Sequence, residues 1–212
     1  MYKEKKIFTI LNTIADWIIR FVVINVIVIT LSIPIITLYP AMSAGYNLFH
    51  DYSNKDEVKL FSGYFEHLKK DFFKKLFIGI LLFFLLVLGY TNVTYYVDIL
   101  NEQNHWFYIT GYYVTTIFLV VAIVVTLLSV TVVKVYPKVK YMNIFKLSFF
   151  VAGKFFFRTI LLIVITVLPF ALLIIPATAI IFVFGGISLP LYLNVIITKP
   201  IVIYLEKLGE NK

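Results

Sequence analysis

The sequence predicts an all-α, polytopic membrane protein of about six transmembrane helices, with five as the alternative, and two amphipathic helices on its inner face. Three observations predict it. Hydrophobic residues make up 61% of the 212 and charged residues only 14%, too little polar surface to coat a water-soluble globule. Long apolar runs, several of them enough to cross lipid, alternate with short polar stretches. All 19 Lys and Arg residues fit on one side of a bilayer once those runs are threaded through it. Residues 1–212 read as a single helical membrane domain, with no room for a separate catalytic one.

The net charge of +8 is spread between apolar runs rather than over a continuous soluble face, so it points to anionic lipid headgroups and not to nucleic acid. The absence of cysteine excludes disulfides, thiolate metal sites and cysteine nucleophiles. Lys3-Glu4-Lys5-Lys6 resembles the start of a signal peptide, but the apolar stretch behind it runs past Leu38, so an uncleaved first helix is expected.

The first span is Trp17 to Ile33, ending at Ser32-Ile33-Pro34. Leu76 to Val97, Phe107 to Val133 and Thr159 to Phe184 are each long enough at about 1.5 Å per residue to cross about 30 Å of hydrocarbon. Ile187 to Leu205 is a weaker run, interrupted by Pro190, Lys199 and Pro200. Charge decides the path of the stretch from Pro34 to His50. With a cytosolic N-terminus and five spans, Lys55, Lys59, Lys69, Lys70, Lys74 and Lys75 would be exported, against the positive-inside rule. If Pro40 to about Tyr52 returns the chain, the outer loops carry only Asp98 and Glu102, and both termini are cytosolic. A five-span chain with its N-terminus outside is the alternative. Pro40 suits the first turn of the returning helix, where its missing N–H has no intrahelical partner. Ala41, Ser43, Ala44 and Gly45 allow close packing.

Phe61, Phe65, Leu68 and Phe72 recur at i, i+4, i+7 and i+11, with Lys59, Glu66, Lys69 and Lys70 mostly elsewhere, which predicts an amphipathic helix along the inner interface. Met142 to Phe157 predicts a second. A shift of 83 residues pairs Phe72 with Phe155 and Ile80 with Ile163, a weak internal repeat.

Little in the chain points to chemistry. There is no phosphate-loop motif, and His50, His67 and His105 are too scattered to hold a metal. With no paired carboxylates and no nucleophile beside a base, the sequence predicts neither an enzyme nor a cofactor. Asp16 and Arg20, four apart beside Trp17, can pair on one helix face, either as an interfacial anchor or as a substrate contact. Lys199 could point into a cavity or snorkel to the interface. Pro169 and Pro176 are expected to kink the fifth span. The tyrosines and Trp106 around the acidic outer loop read as an interfacial belt, or as a sugar-binding surface.

The run from Leu31 to Tyr46, Leu-Ser-Ile-Pro-Ile-Ile-Thr-Leu-Tyr-Pro-Ala-Met-Ser-Ala-Gly-Tyr, following Asn25, resembles the YesL-like (DUF624) family of bacterial membrane proteins. Pro34, Thr37, Pro40, Ala41 and Ala44 match the family's core pattern, and Phe61, Phe65, Lys69 and Phe72 to Phe73 match its following helix. Asp51, Tyr52, Asn54 and Asp56 stand where the family often carries a basic segment, which weighs against an anion-binding role there. The resemblance implies a bacterial cytoplasmic membrane protein and an accessory or regulatory link to oligosaccharide ABC import. The partners it implies are permease or ATPase subunits. A small transporter or channel lined by the proline-broken helices is the alternative.

Overall fold

The computed structural model describes residues 2–103 and 105–210, with side chains from Phe8 onward. Nine α-helices follow one another among the described residues: α1 (Tyr2–Leu31), α2 (Leu38–Ser53), α3 (Leu60–Lys69), α4 (Phe72–Glu102), α5 (Trp106–Val135), α6 (Tyr141–Lys154), α7 (Phe156–Val167), α8 (Pro176–Gly185) and α9 (Ser188–Glu210). Short 3-10 turns stand at Ile35–Thr37 and Leu168–Leu173. The side chains of Lys3, Lys5 and Lys6, and Lys212, lie outside the described residues.

Five helical segments are long and apolar enough to cross a membrane: Phe8–Leu31, Phe72–Glu102, Trp106–Val135, Phe156–Leu173 and Ser188–Glu210. The sixth expected segment is also a helix, α2, but its 16 residues rise only about 24 Å. Eleven of the 16 are buried, so it is shielded by protein and can keep polar Ser43 and Asn47 in its middle. Pro40 sits in its first turn, as expected.

The expected fifth span, Thr159 to Phe184, is a correction: it is three pieces and not one kinked helix. Pro169 and Pro176 each remove an N–H from the helical ladder, and Pro176 opens α8 instead of lying inside a helix. The last span is the opposite case, because α9 runs unbroken through Pro200.

The chain folds as two compact units that alternate along the sequence. The first is Met1–Lys70 with Val164–Ile196. Its α1 and α2 form an antiparallel hairpin whose register is fixed by side-chain pairs. The Trp17 ring lies 6.3 Å from Tyr52 and Phe21 lies 5.4 Å from Phe49. A Cβ at Gly45 would lie 3.5 Å from Ile24. Residue numbers in each pair add to nearly the same total, so α2 carries the chain back from Leu31 to the level of Trp17. The turn between them is closed by Thr37, whose hydroxyl sits between the carbonyls of Leu31 and Pro34. Thr178 repeats that arrangement with Leu172 and Ile175 at the entry to α8. In both turns a hydroxyl meets carbonyls that the broken helix leaves over.

α3 is held to α2 by Tyr64, fully buried, whose hydroxyl donates to the Ala41 carbonyl at 2.9 Å. Burial pushes its phenol far above the usual range, so the donor stays protonated. His67 adds a 2.5 Å contact to Asp51.

The second unit is Asp71–Ile163 with Ile197–Lys212. Its α4 and α5 are antiparallel, with Leu119 against Gly89 and Tyr96 against Gly111. At one end Lys74 donates to the carbonyls of Pro137 and Val139, at 2.5 and 2.6 Å. The Tyr136 hydroxyl reaches the Leu205 carbonyl, and Lys154 lies 3.5 Å over the Tyr204 ring. The basic segments of this unit therefore gather at one end, away from Asp98 and Glu102. α6 buries Ile144, Ser148 and Val151 and exposes Met142, Phe149 and Phe150.

Candidate functional site

The first unit holds the two arrangements with chemical potential, and both are built on α1. One is a helix junction. α8 ends at Gly185 and α9 begins at Ser188, which leaves C-terminal carbonyls and N-terminal N–H groups without partners in their own helices. In an apolar setting each such group costs on the order of 1–3 kcal/mol if unpaired. Asn25, fully buried on α1, meets four backbone groups of this junction at once, of which the Phe182 carbonyl also accepts from the Gly186 N–H. Its Nδ2 donates to the Phe182 carbonyl at 2.9 Å and the Val183 carbonyl at 2.6 Å. Its Oδ1 accepts from the backbone N–H of Ile187 at 2.8 Å and of Ser188 at 2.9 Å. A carboxamide has two N–H donors and one oxygen with two lone pairs, so its capacity is filled.

That saturation bears on function. Discontinuous helices serve transporters because their freed backbone groups face a solute. Here those groups are bound to Asn25. The neighbouring cleft of 520 Å³, lined by Ile18, Phe21 and Val22 of α1 with Pro169, Leu172 and Phe184, presents apolar side chains. Its lining suits an acyl chain or an apolar protein surface, not a sugar or an ion.

The other arrangement centres on Arg20. Rings from α1, α2 and α9 pack together: Trp17 to Tyr192 at 5.0 Å, Phe21 to Phe49 at 5.4 Å and Phe49 to Tyr192 at 5.7 Å. The Arg20 guanidinium carbon lies 4.2 Å from the Tyr52 ring centre and 5.4 Å from that of Trp17. This is a cation–π arrangement that holds the side chain against the edge of the cluster. Arg20 lines a pocket of 560 Å³ with Tyr52, Lys55, Asp56, Glu57 and Lys59.

The residues singled out from sequence do not converge on one place. Asp16 is exposed and not paired with Arg20, which turns to the rings instead. Pro34 precedes the Ile35–Thr37 turn, and Pro40 is buried at the start of α2. Phe61 and Phe65 are 60% and 41% exposed, and Lys69 is exposed on the same helix. Phe72 opens α4, half-buried, and Lys199 is exposed on α9. Arg20 is the member of that set around which the structure builds a pocket. Asn25, Tyr52 and Lys55 also take part; in the sequence Asn25 and Tyr52 stand out only through the family resemblance and Lys55 only through the placement of basic residues. Among the described residues no group of three or more His, Asp or Glu side chains could hold a metal ion.

The helices and their apolar surfaces define a polytopic, all-α integral membrane protein. A family model, DUF624, a protein of unknown function, matches residues 21–93, from Arg20's neighbour on α1 to the middle of α4. That stretch, about a third of the chain, takes in Asn25, the α1–α2 turn, the pocket loop and α3. No curated protein and no solved structure matches the chain.

Proposed function

We propose that this chain is a non-enzymatic accessory component of the bacterial cytoplasmic membrane, with both termini cytosolic, that docks on the permease or ATPase subunits of an oligosaccharide ABC importer. The observation that carries this reading is the pair of short helices α3 and α6. Each buries one face in its own unit and leaves phenylalanines exposed beside lysines: Phe61 and Phe65 with Lys69 on α3, and Phe149 and Phe150 with Lys146 on α6. Amphipathic helices of this kind lie in the headgroup region, where a partner's short interfacial helices can meet them. The basic residues beside each helix support placing each of them on the cytosolic side. The link to sugar uptake rests on the resemblance to the DUF624 family.

The transporter reading is weaker, because Asn25 occupies the backbone groups of the α8–α9 junction and the adjoining cleft is apolar. Affinity purification of the tagged protein in mild detergent tests the docking reading. A permease subunit is expected to copurify, and Phe61→Glu with Phe149→Glu is expected to reduce its recovery about tenfold, as the loss of two central apolar anchors would. Absence of any transport subunit, together with unchanged oligosaccharide uptake in a deletion strain, would contradict it.

A further inference from the structure

We propose that Arg20, Lys55 and Lys59 form a binding site for the phosphate of an anionic phospholipid headgroup. The site lies wholly in the first unit and does not depend on the docking role.

Three features point to it. The first is the guanidinium. Arg20 is fixed by its stacking on Tyr52 and Trp17, and among the described residues no carboxylate forms an ion pair with it. Its N–H fork is thus pre-oriented for an acceptor the chain itself does not supply. Phosphate oxygens match that fork with two parallel hydrogen bonds.

The second is the backbone of Lys55. α2 ends in a Schellman turn: the N–H of Asp56 bonds the Asp51 carbonyl and that of Lys55 bonds the Tyr52 carbonyl, both at 3.1 Å. The residue at Lys55's place must take a left-handed conformation, and its φ is 65°. Glycine is the residue this position favours, because a Cβ there is crowded. The chain keeps a lysine instead, at a conformational cost that its packing does not explain, since it is exposed. A cation directed at the pocket explains it.

The third is location. Arg20 belongs to a segment long and apolar enough to cross a membrane, and its neighbours Ile18 and Ile19 are each 56% exposed, as apolar side chains set against hydrocarbon are. An anion that reaches this guanidinium is one that resides at the lipid surface. The loop alone, with Asp56 and Glu57 against Lys55 and Lys59, is balanced in charge, and it lacks the basic segment that the resembled family often carries there. Arg20, brought in from α1, supplies the excess cation.

The test uses purified protein in lipid nanodiscs containing equal amounts of phosphatidylglycerol and phosphatidylcholine, with retained lipids counted by native mass spectrometry. With one cation in excess around the pocket, the wild type is expected to retain phosphatidylglycerol over phosphatidylcholine by about fivefold. Arg20→Gln should bring the ratio close to one. Lys55→Gly should lower it by a similar step while leaving the thermal midpoint unchanged or higher, since glycine suits the left-handed turn. That second variant separates lost binding from lost folding. Equal lipid ratios in wild type and both variants would overturn the proposal. So would a thermal shift with glycerol phosphate in phosphatidylcholine discs and no lipid preference, which would assign the pocket to a soluble phosphate.

Discussion

Asn25→Leu is expected to destabilise the protein by about 2–5 kcal/mol, read as a large fall in thermal midpoint in detergent and a sharp loss of protein accumulating in membranes. Leucine fills nearly the same volume but can neither donate nor accept. The Phe182 carbonyl would keep its bond from the Gly186 N–H, at 2.8 Å, so the loss falls mainly on the Ile187 and Ser188 N–H groups and on the Val183 carbonyl. Those groups lie around a side chain with no solvent exposure, and water cannot readily replace the amide. Asn25→Asp divides the effect. It retains an acceptor for the two N–H groups but sets a second oxygen against two carbonyls, so it should recover only part of the stability that Asn25→Leu loses. A variant at this site as stable as the wild type would mean that the α8–α9 junction finds other partners.

Gly186→Ala is the second large effect. A Cβ at this position would press against the Phe182 ring, one helical turn back, far closer than van der Waals contact allows. Phe182 is buried and packs at 5.5 Å against Phe170, so it has little room to swing aside. Overpacking of this kind costs about 1–3 kcal/mol. The mechanism predicts a specific rescue: in Gly186→Ala with Phe182→Ala, the glycine substitution should cost almost nothing. Thermal unfolding of the four proteins of this cycle measures the coupling directly. Additive losses would place the cost somewhere other than this contact.

The helices were legible where lipid dictates composition. Long apolar runs mark α1, α4, α5 and α9 because a spanning segment must satisfy its backbone internally and present hydrocarbon outward. Charge patterning found the return path through α2, which apolarity alone would have missed: that helix is short, protein-covered and rich in small and polar residues. The side each surface helix turns inward was not legible. On α3 the phenylalanine stripe reads as a face laid along the interface, and Phe61 and Phe65 are exposed, but nothing in the pattern marks Tyr64 with Gly63 as the face turned to the core. At a membrane interface an apolar stripe can face lipid as well as protein, so periodicity does not distinguish them.

The sites were hidden for a different reason. Asp16 and Arg20 have the spacing of a helical pair, but such pairs are worth only a few tenths of a kcal/mol, and two aromatic rings held by packing offer the arginine as much or more. The Tyr52 ring comes from another helix. Asn25 and its four partners are separated by more than 150 residues in sequence, and nothing local to Asn25 names them.

The proposed topology depends most on the return of the chain through α2, which sets the basic residues of α1 and of the segment after α2 on one side. The protein contains no cysteine, so single cysteines can be introduced at Ser62 on α3 and Asn101 near the end of α4, both exposed. With a membrane-impermeant maleimide on intact cells, this topology predicts labelling at Asn101 and none at Ser62 until the membrane is opened. Labelling of Ser62 in intact cells would contradict it.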